Sequence, residues 1–168
     1  MAQRFPWVID GIIAGCPVLS WSDLAIQRAW VARATRDGNN QLLLDQDSVT
    51  LLHEKALSQC DEDDGLKDGI IGNPATCKFN PAGLQCKVGQ SDRCLDPEQV
   101  AVAKKLYSRP VDSAGQPIAS TGLTPGSELS VLEPVSTRNA ASEEVFRYMY
   151  FMPAPGAILE DGGFRFRP

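Results

Sequence analysis

Four of the five cysteines in this chain of 168 residues stand close together, at positions 60, 77, 86 and 94. The surrounding segment is rich in proline and glycine, which favours a disulfide framework over buried free thiols. Four cysteines allow three pairings, and the local one, Cys60 with Cys77 and Cys86 with Cys94, is topologically the simplest. Disulfides form in oxidising compartments, so we expect a secreted or periplasmic protein.

A structural zinc site is the alternative use of these cysteines. Such sites take four Cys or His ligands at characteristic spacings, usually with a Cys-x-x-Cys pair. The chain has no such pair, and His53 is its only histidine. The sequence therefore argues against zinc.

Between the first two of these cysteines, acidic residues are crowded around a single lysine, Lys67. They are Asp61, Glu62, Asp63, Asp64 and Asp68. Like charges this close repel one another unless a cation lies among them, and Ca²⁺ takes oxygen ligands of this kind. Gly65 and Gly69 permit the tight turns that bring backbone carbonyls inward. The pattern favours a structural calcium loop, with a solvated acidic turn as the alternative.

The spacing within this acidic loop excludes an EF-hand. That motif requires oxygen ligands at its first, third and fifth positions, glycine at the sixth and glutamate at the twelfth. Counting from Asp61 places Gly65 fifth, Leu66 sixth and Gly72 twelfth. A calcium site here must therefore be of another kind.

Composition and charge exclude two classes of partner. Hydrophobic residues make up 43% of the chain, and 14 glycines and 12 prolines indicate a folded but loop-rich domain. The net charge is -5 and the basic residues are scattered, so no basic stripe is available for nucleic acid. No apolar run approaches the roughly 18 residues that indicate a membrane span, so we expect no membrane association.

Apolar periodicity predicts three main helices, at residues 21–36, 45–59 and 96–109. Ser20 or Ser22 is the expected N-cap of the first helix, and Asp96 followed by Pro97 is expected to open the third. Residues 9–15, an apolar run between glycines, predict a buried parallel strand. A hairpin with its turn at residues 113–116 and a short helix at residues 142–151 are also predicted.

The acidic loop and its surroundings resemble the tannase and feruloyl esterase family, α/β-hydrolases with a large inserted lid. The resemblance rests on Cys60-Asp61-x-x-Asp64-Gly65-x-x-Asp68-Gly69-Ile70-Ile71-x-x-Pro74-x-x-Cys77-x-Phe79, on Leu84-x-Cys86, on Cys94-Leu95, on Gln99-Val100 and Tyr107, and on Pro125-Gly126-Ser127-Glu128. Ala2-Gln3-Arg4-Phe5-Pro6 and residues 10–15 are similar to the segment that follows the nucleophile elbow in that family.

The resemblance implies the lid domain of an α/β-hydrolase. We expect an α+β, loop-rich fold with few helices, short strands or a hairpin, stapled by disulfides and calcium. Residues 1–17 would be a remnant of the hydrolase core. Residues 18–160 would form the lid, with its calcium loop at 60–77, and residues 161–168 a tail leading back to the core.

The resemblance also implies a ligand set and the pairing of the cysteines. The calcium ligands would be the side chains of Asp61, Asp64 and Asp68 and the backbone carbonyls of Leu66 and Ile70. The implied disulfides are the same local pairs that are topologically simplest. The calcium would be structural and remote from the ester. Cys16 stands where the family suggests a small residue, so we expect a buried free thiol there.

A serine esterase acting on aromatic carboxylic esters is the implied parent enzyme. Its catalytic serine, acid and histidine form a triad beside backbone donors for the oxyanion. In the family the serine precedes the segment that matches residues 2–6, and the acid and histidine follow the lid. We therefore expect no catalytic residue in this chain, no hydrolysis by the chain alone, and a surface or packing role for His53.

The implied partners are the remainder of the hydrolase domain and the aromatic ester. Lids supply polar and aromatic side chains that close over a substrate, and the candidates here are Ser127, Glu128, Phe146 and Tyr148. A free-standing extracellular calcium-binding module, without any hydrolase, is the alternative function.

Overall fold

The computed structural model describes residues 4–15, 17–39 and 41–137. Its α-helices are α1 (Trp21–Ala34), α2 (Gln46–Cys60), α3 (Pro97–Tyr107) and α4 (Glu128–Thr137). Short 3₁₀ turns occupy Pro6–Val8, Asp61–Asp64 and Pro81–Leu84. Cys16, Phe146 and Tyr148 lie outside the described residues, as do the helix expected at 142–151 and the tail at 161–168.

The predicted helix starts are confirmed by their caps. The Ser20 hydroxyl accepts a hydrogen bond from the backbone N–H of Asp23 at the start of α1, and the Asp45 carboxylate accepts one from Ser48 at the start of α2. Asp96 opens α3 with a capping box. These side chains satisfy backbone donors that have no partner within the helix, which is why the starts could be predicted.

Helix α4 was not predicted, because its sequence stands in a stretch rich in glycine, proline and serine. Pro134 within it also lacks the N–H that a helix interior uses. The helix packs against α2, and Leu132 is only 4% exposed. Burial of its apolar side thus outweighs a poor local propensity.

The predicted strand at residues 9–15 does not form, and the described ranges contain isolated bridges rather than β-strands. Ile12 and Ile13 are 60% and 102% exposed. A strand needs a neighbour to take up its hydrogen bonds, and none is present beside this run in the described part. The fold is therefore loop-rich with few helices, and the expected β component is reduced to bridges.

The predicted hairpin turn is present in a minimal form. Val111 and Pro117 form an antiparallel bridge, and the Asp112 carboxylate accepts hydrogen bonds from the N–H groups of Ala114 and Gln116. Gly115 adopts a left-handed φ of 78°. The turn was recognisable because aspartate and glycine favour such a conformation.

Two groups of buried apolar residues make up the core. The larger group joins α2, α3 and α4, with Leu52, Leu95 and Leu106 fully buried. The smaller comprises Ala56, Cys60 and Ile71 beneath the acidic loop, with Phe79 packed against it. No helix in the described part is long and apolar enough to cross a bilayer.

Candidate functional site

The two disulfides of the structure join Cys60 to Cys77 and Cys86 to Cys94. These are the local pairs that the resemblance implied. Cys60 is the last residue of α2 and is 2% exposed, so the first disulfide fixes the start of the acidic loop to the core. The loop is consequently anchored at both ends.

The acidic loop continues directly from α2 as the 3₁₀ turn Asp61–Asp64. It then reverses twice, at Gly65 with φ 92° and at Gly69 with φ 79°. Side chains with a Cβ rarely adopt such values, which is why glycine stands at both positions. The turns bring the later half of the loop back over the carboxylates of the first half.

The three aspartates predicted as calcium ligands bind backbone N–H groups of the loop. Asp61 Oδ1 accepts from Gly69 at 2.9 Å and from Ile70 at 3.2 Å. Asp64 accepts from Leu66 at 2.9 Å through Oδ1 and from Gly72 at 3.1 Å through Oδ2; Asp68 Oδ1 accepts from Ile70 at 3.0 Å. The loop is thus organised around these carboxylates.

Glu62 is used differently from these aspartates. Its carboxylate lies 2.6 Å from the ammonium of Lys67. This hydrogen bond and the glutamate charge raise the pKa of Lys67. Because both side chains are mostly exposed, the pair contributes little to stability. It does draw Glu62 towards the lysine.

The donor set of the loop suits a hard cation. Carboxylate and carbonyl oxygens are the ligands that Ca²⁺ prefers, and a carboxylate oxygen that accepts one hydrogen bond keeps further lone pairs. Within residues 4–15, 17–39 and 41–137, however, no three His, Cys, Asp or Glu side chains are grouped as a metal site. The residues fit calcium by their chemistry, and calcium binding remains a prediction.

A second polar cluster was not predicted as a unit. Glu128 is fully buried. Its Oε1 accepts a hydrogen bond from the Tyr107 hydroxyl at 2.7 Å, its Oε2 lies 3.0 Å from His53 Nδ1, and the Gly126 N–H reaches both oxygens at 3.0 and 3.1 Å. The His53 side chain is partly buried, and this carboxylate is its partner. The sequence held only a weak signal for this cluster, because His53 and Glu128 are 75 positions apart.

Tyr107 acts in this cluster as a hydrogen-bond donor. Burial raises the pKa of Tyr107 well above its usual value, and the Glu128 charge and hydrogen bond raise it further. The phenol therefore stays protonated at any physiological pH. Its ring also meets Phe79 edge to face, with 5.4 Å between centroids.

Ser127 and Glu128, two predicted substrate contacts, face different environments. Ser127 is partly exposed, and its hydroxyl donates to the Thr124 carbonyl at 2.6 Å. Glu128 is enclosed by its three partners. The structure thus gives Glu128 partners within the fold, and a substrate contact remains a prediction for both residues.

Comparison with known proteins identifies the class of this chain. A family profile described as "Tannase and feruloyl esterase" matches residues 1–151. Since the match spans most of the sequence, the chain belongs to the tannase and feruloyl esterase family.

Several particular proteins resemble the chain. A probable feruloyl esterase B-2 of Aspergillus flavus is 34% identical over 156 residues, which are 91% of this chain and 30% of the relative. The mono(2-hydroxyethyl) terephthalate hydrolase of Piscinibacter sakaiensis is 34% identical over 140 residues, covering 70% and 23%. The crystal structure of feruloyl esterase B from Aspergillus oryzae matches with a TM-score of 0.76 and 30% identity, over 89% of this chain and 31% of that one. The chain thus spans less than one third of the length of these relatives.

Proposed function

We propose that the chain is the lid domain, with a short piece of the hydrolase core, of an enzyme that cleaves aromatic carboxylic esters. The observation that carries this is the disulfide-closed acidic loop, in a chain that belongs to the family and spans under a third of its relatives. The relatives are named as feruloyl esterases and as a terephthalate ester hydrolase, which supports an aromatic ester as the substrate class.

The N-terminal segment supports a partner domain. Eight large apolar side chains between residues 5 and 21 are at least 44% exposed: Phe5, Trp7, Val8, Ile12, Ile13, Val18, Leu19 and Trp21. Burying such a side chain contributes about 1.5–3 kcal/mol. In our proposal, the remainder of the hydrolase domain covers this segment, and residues 9–15 become a strand only there.

The catalytic serine, acid and histidine belong, in this proposal, to that remainder. His53 directs Nδ1 to a carboxylate, as a catalytic histidine does, but its partner Glu128 is locked into the helix junction. We therefore assign His53 no part in catalysis. The lid closes over the ester, excludes water and contributes Ser127 to its polar edge.

An activity assay tests the division of labour between the lid and the rest of the enzyme. The purified chain is expected to give no turnover of a chromogenic feruloyl ester, whereas the complete open reading frame gives turnover. Hydrolysis by the chain alone would overturn the proposal. A complete frame without a Gly-x-Ser-x-Gly elbow would overturn the hydrolase assignment itself.

Calcium is proposed as a structural ion held by Asp61, Asp64 and Asp68 with the carbonyls of Leu66 and Ile70. It would offset the mutual repulsion of the carboxylates and stiffen the loop. Calorimetric titration of the oxidised chain with CaCl₂ is expected to show one site, weakened by reductant. Absence of binding to the oxidised chain would refute the site while leaving the lid assignment intact.

A free-standing calcium-binding module is the second candidate function. It is favoured by the core, since fully buried residues such as Leu52 and Leu106 pack within the described part of the chain. The genomic sequence discriminates between the two functions. An in-frame nucleophile elbow upstream supports the enzyme, and a signal peptide joined directly to Met1 supports the module.

The disulfides support a secreted or periplasmic location. Both disulfides join cysteines that are close in sequence, and such bonds form where thiols are oxidised. Detection of the two bonds in protein taken from the culture medium or the periplasm would test this location.

A further inference from the structure

Glu128 lies where three helices and a turn meet. It stands at the first position of α4 and contacts His53 of α2, Tyr107 of α3 and the Gly126 N–H of the turn at residues 124–127. A buried carboxylate is tolerated only when partners surround it. The four groups therefore hold one another in place, and the turn is fixed by a side chain rather than by its own backbone alone.

The same turn contacts the acidic loop at Ile71. Gly126 has φ 94°, and a Cβ placed on it would lie 3.3 Å from Cδ1 of Ile71. Ile71 is 7% exposed and directly follows Ile70, whose N–H binds two of the loop aspartates. The backbone of the turn thus contacts Ile71, which lies between the hydrogen-bonded loop amides of Ile70 and Gly72.

Two further connections, one along a helix and one through packed rings, link the Glu128 cluster to the loop. His53 stands seven residues before Cys60 on α2, about 10 Å along the helix axis, and Cys60 opens the loop. The Tyr107 ring packs on Phe79, which lies beside the Cys60–Cys77 disulfide. Both flanks of the acidic loop are therefore connected to the Glu128 carboxylate.

We propose that Glu128 is a positioning residue that couples the acidic loop to the turn at residues 124–127. The cluster around its carboxylate holds residues 124–127 in a fixed position relative to the loop, so that a divalent cation bound at the loop also orders the turn. The relevance for substrate binding rests on the lid function proposed above. The coupling itself is a property of the chain.

Hydrogen exchange of the oxidised, metal-free chain tests the coupling. In Glu128→Ala, exchange is expected to rise about tenfold, equal to ~1.4 kcal/mol of opening free energy, at Gly126 and also at Gly69, Ile70 and Gly72 of the loop. Glu98→Ala, the same change at an exposed position of α3, leaves these amides unchanged.

Two further variants separate positioning from general destabilisation. Glu128→Gln keeps an acceptor for Tyr107 and Gly126 and is expected to restore most of the protection. If Glu128→Ala fails to fold, Tyr107→Phe removes one donor and keeps the Phe79 contact, and it is expected to show the same pattern more weakly. Faster exchange at Gly126 with an unchanged loop would overturn the coupling. An equal increase in α1 would also overturn it.

Addition of CaCl₂ tests the coupling from the other side. In the wild-type chain, protection is expected to increase at the loop amides and at Gly126 together. Protection of the loop without any response at Gly126 would contradict the proposal. If the loop itself does not respond, the calcium site is refuted, and the metal-free comparison alone decides the coupling.

Discussion

The indole nitrogen of Trp30 donates a hydrogen bond to the backbone carbonyl of Lys105, 3.1 Å away. The ammonium of the same lysine lies 5.0 Å from the centroid of the Trp30 ring. One aromatic residue of α1 thus binds both the backbone and the side chain of one residue of α3. This pair fixes α1, which carries few buried residues, to the rest of the fold.

Trp30→Phe is expected to lower the free energy of unfolding by about 1 kcal/mol, because the ring remains but the indole donor is lost. Trp21→Phe, an exposed tryptophan at the start of the same helix, is the matched control and should change stability by less than about 0.5 kcal/mol. Urea denaturation followed by circular dichroism measures both. Equal effects would show that the hydrogen bond to Lys105 does not anchor α1.

Asp45 should make stability depend on pH in the acidic range. The hydrogen bonds from Ser48 lower the pKa of Asp45 from its usual value near 3.8. The folded state therefore binds this proton less readily than the unfolded state, so the stabilisation is present above the unfolded pKa and is lost as pH falls through the folded one.

Asp45→Asn and Asp45→Ala test the cap. At neutral pH, Asp45→Ala is expected to cost about 1 kcal/mol, and Asp45→Asn, which caps without titrating, should cost much less. As the pH falls below about 4, the wild type should lose stability relative to Asp45→Asn. Parallel pH profiles of the wild type and Asp45→Asn would contradict the assigned role.

Within the acidic loop, Gly72 lies so close to Asp64 that a Cβ on it would collide with Oδ2 of that residue. A methyl group there would displace the end of a flexible side chain and its hydrogen bond to the Gly72 N–H. Gly72→Ala should therefore change stability little. It should weaken calcium binding about tenfold, equal to ~1.4 kcal/mol, because Asp64 is a proposed ligand.

Gly83→Ala is the control for this substitution. Beyond its own turn and chain neighbours, no described heavy atom lies within 4 Å of a Cβ built on Gly83. Calcium titration by calorimetry compares the two variants. If Gly72→Ala binds calcium as tightly as Gly83→Ala, Asp64 is not a ligand.

The two disulfides should contribute unequally. Replacing Cys86 and Cys94 by alanine opens a loop with a sequence separation of 8, and replacing Cys60 and Cys77 opens one of 17. The chain-entropy model gives about 2.6 and about 3.2 kcal/mol. Cys60 is also buried in the smaller core. The stability of the Cys60/Cys77 variant should therefore fall below that of the Cys86/Cys94 variant by more than the chain-entropy model predicts. Thermal unfolding compares the two double variants, each checked for its remaining disulfide. A lower unfolding temperature for the Cys86/Cys94 variant would contradict this prediction.

Features set by neighbouring residues could be predicted from the sequence. The caps at Ser20 and Asp96 and the turn at Asp112 depend on side chains two to four positions from the groups they bind. The disulfide-closed acidic loop uses the simplest local pairing of its cysteines. The partnership of His53 with Glu128 and the helix after Ser127 could not be predicted, because both depend on packing between distant segments. The strand at residues 9–15 was predicted from an apolar run that needs a neighbouring sheet.

All buried residues of the larger core lie between Val31 and Leu132, and both disulfides fall within the same span. If the chain is the lid proposed above, a segment whose crosslinks and core are this self-contained can change its surface without disturbing the hydrolase core. Such a segment can thus be replaced as one unit during evolution. Exchange of residues 31–132 between relatives is the corresponding route for protein engineering.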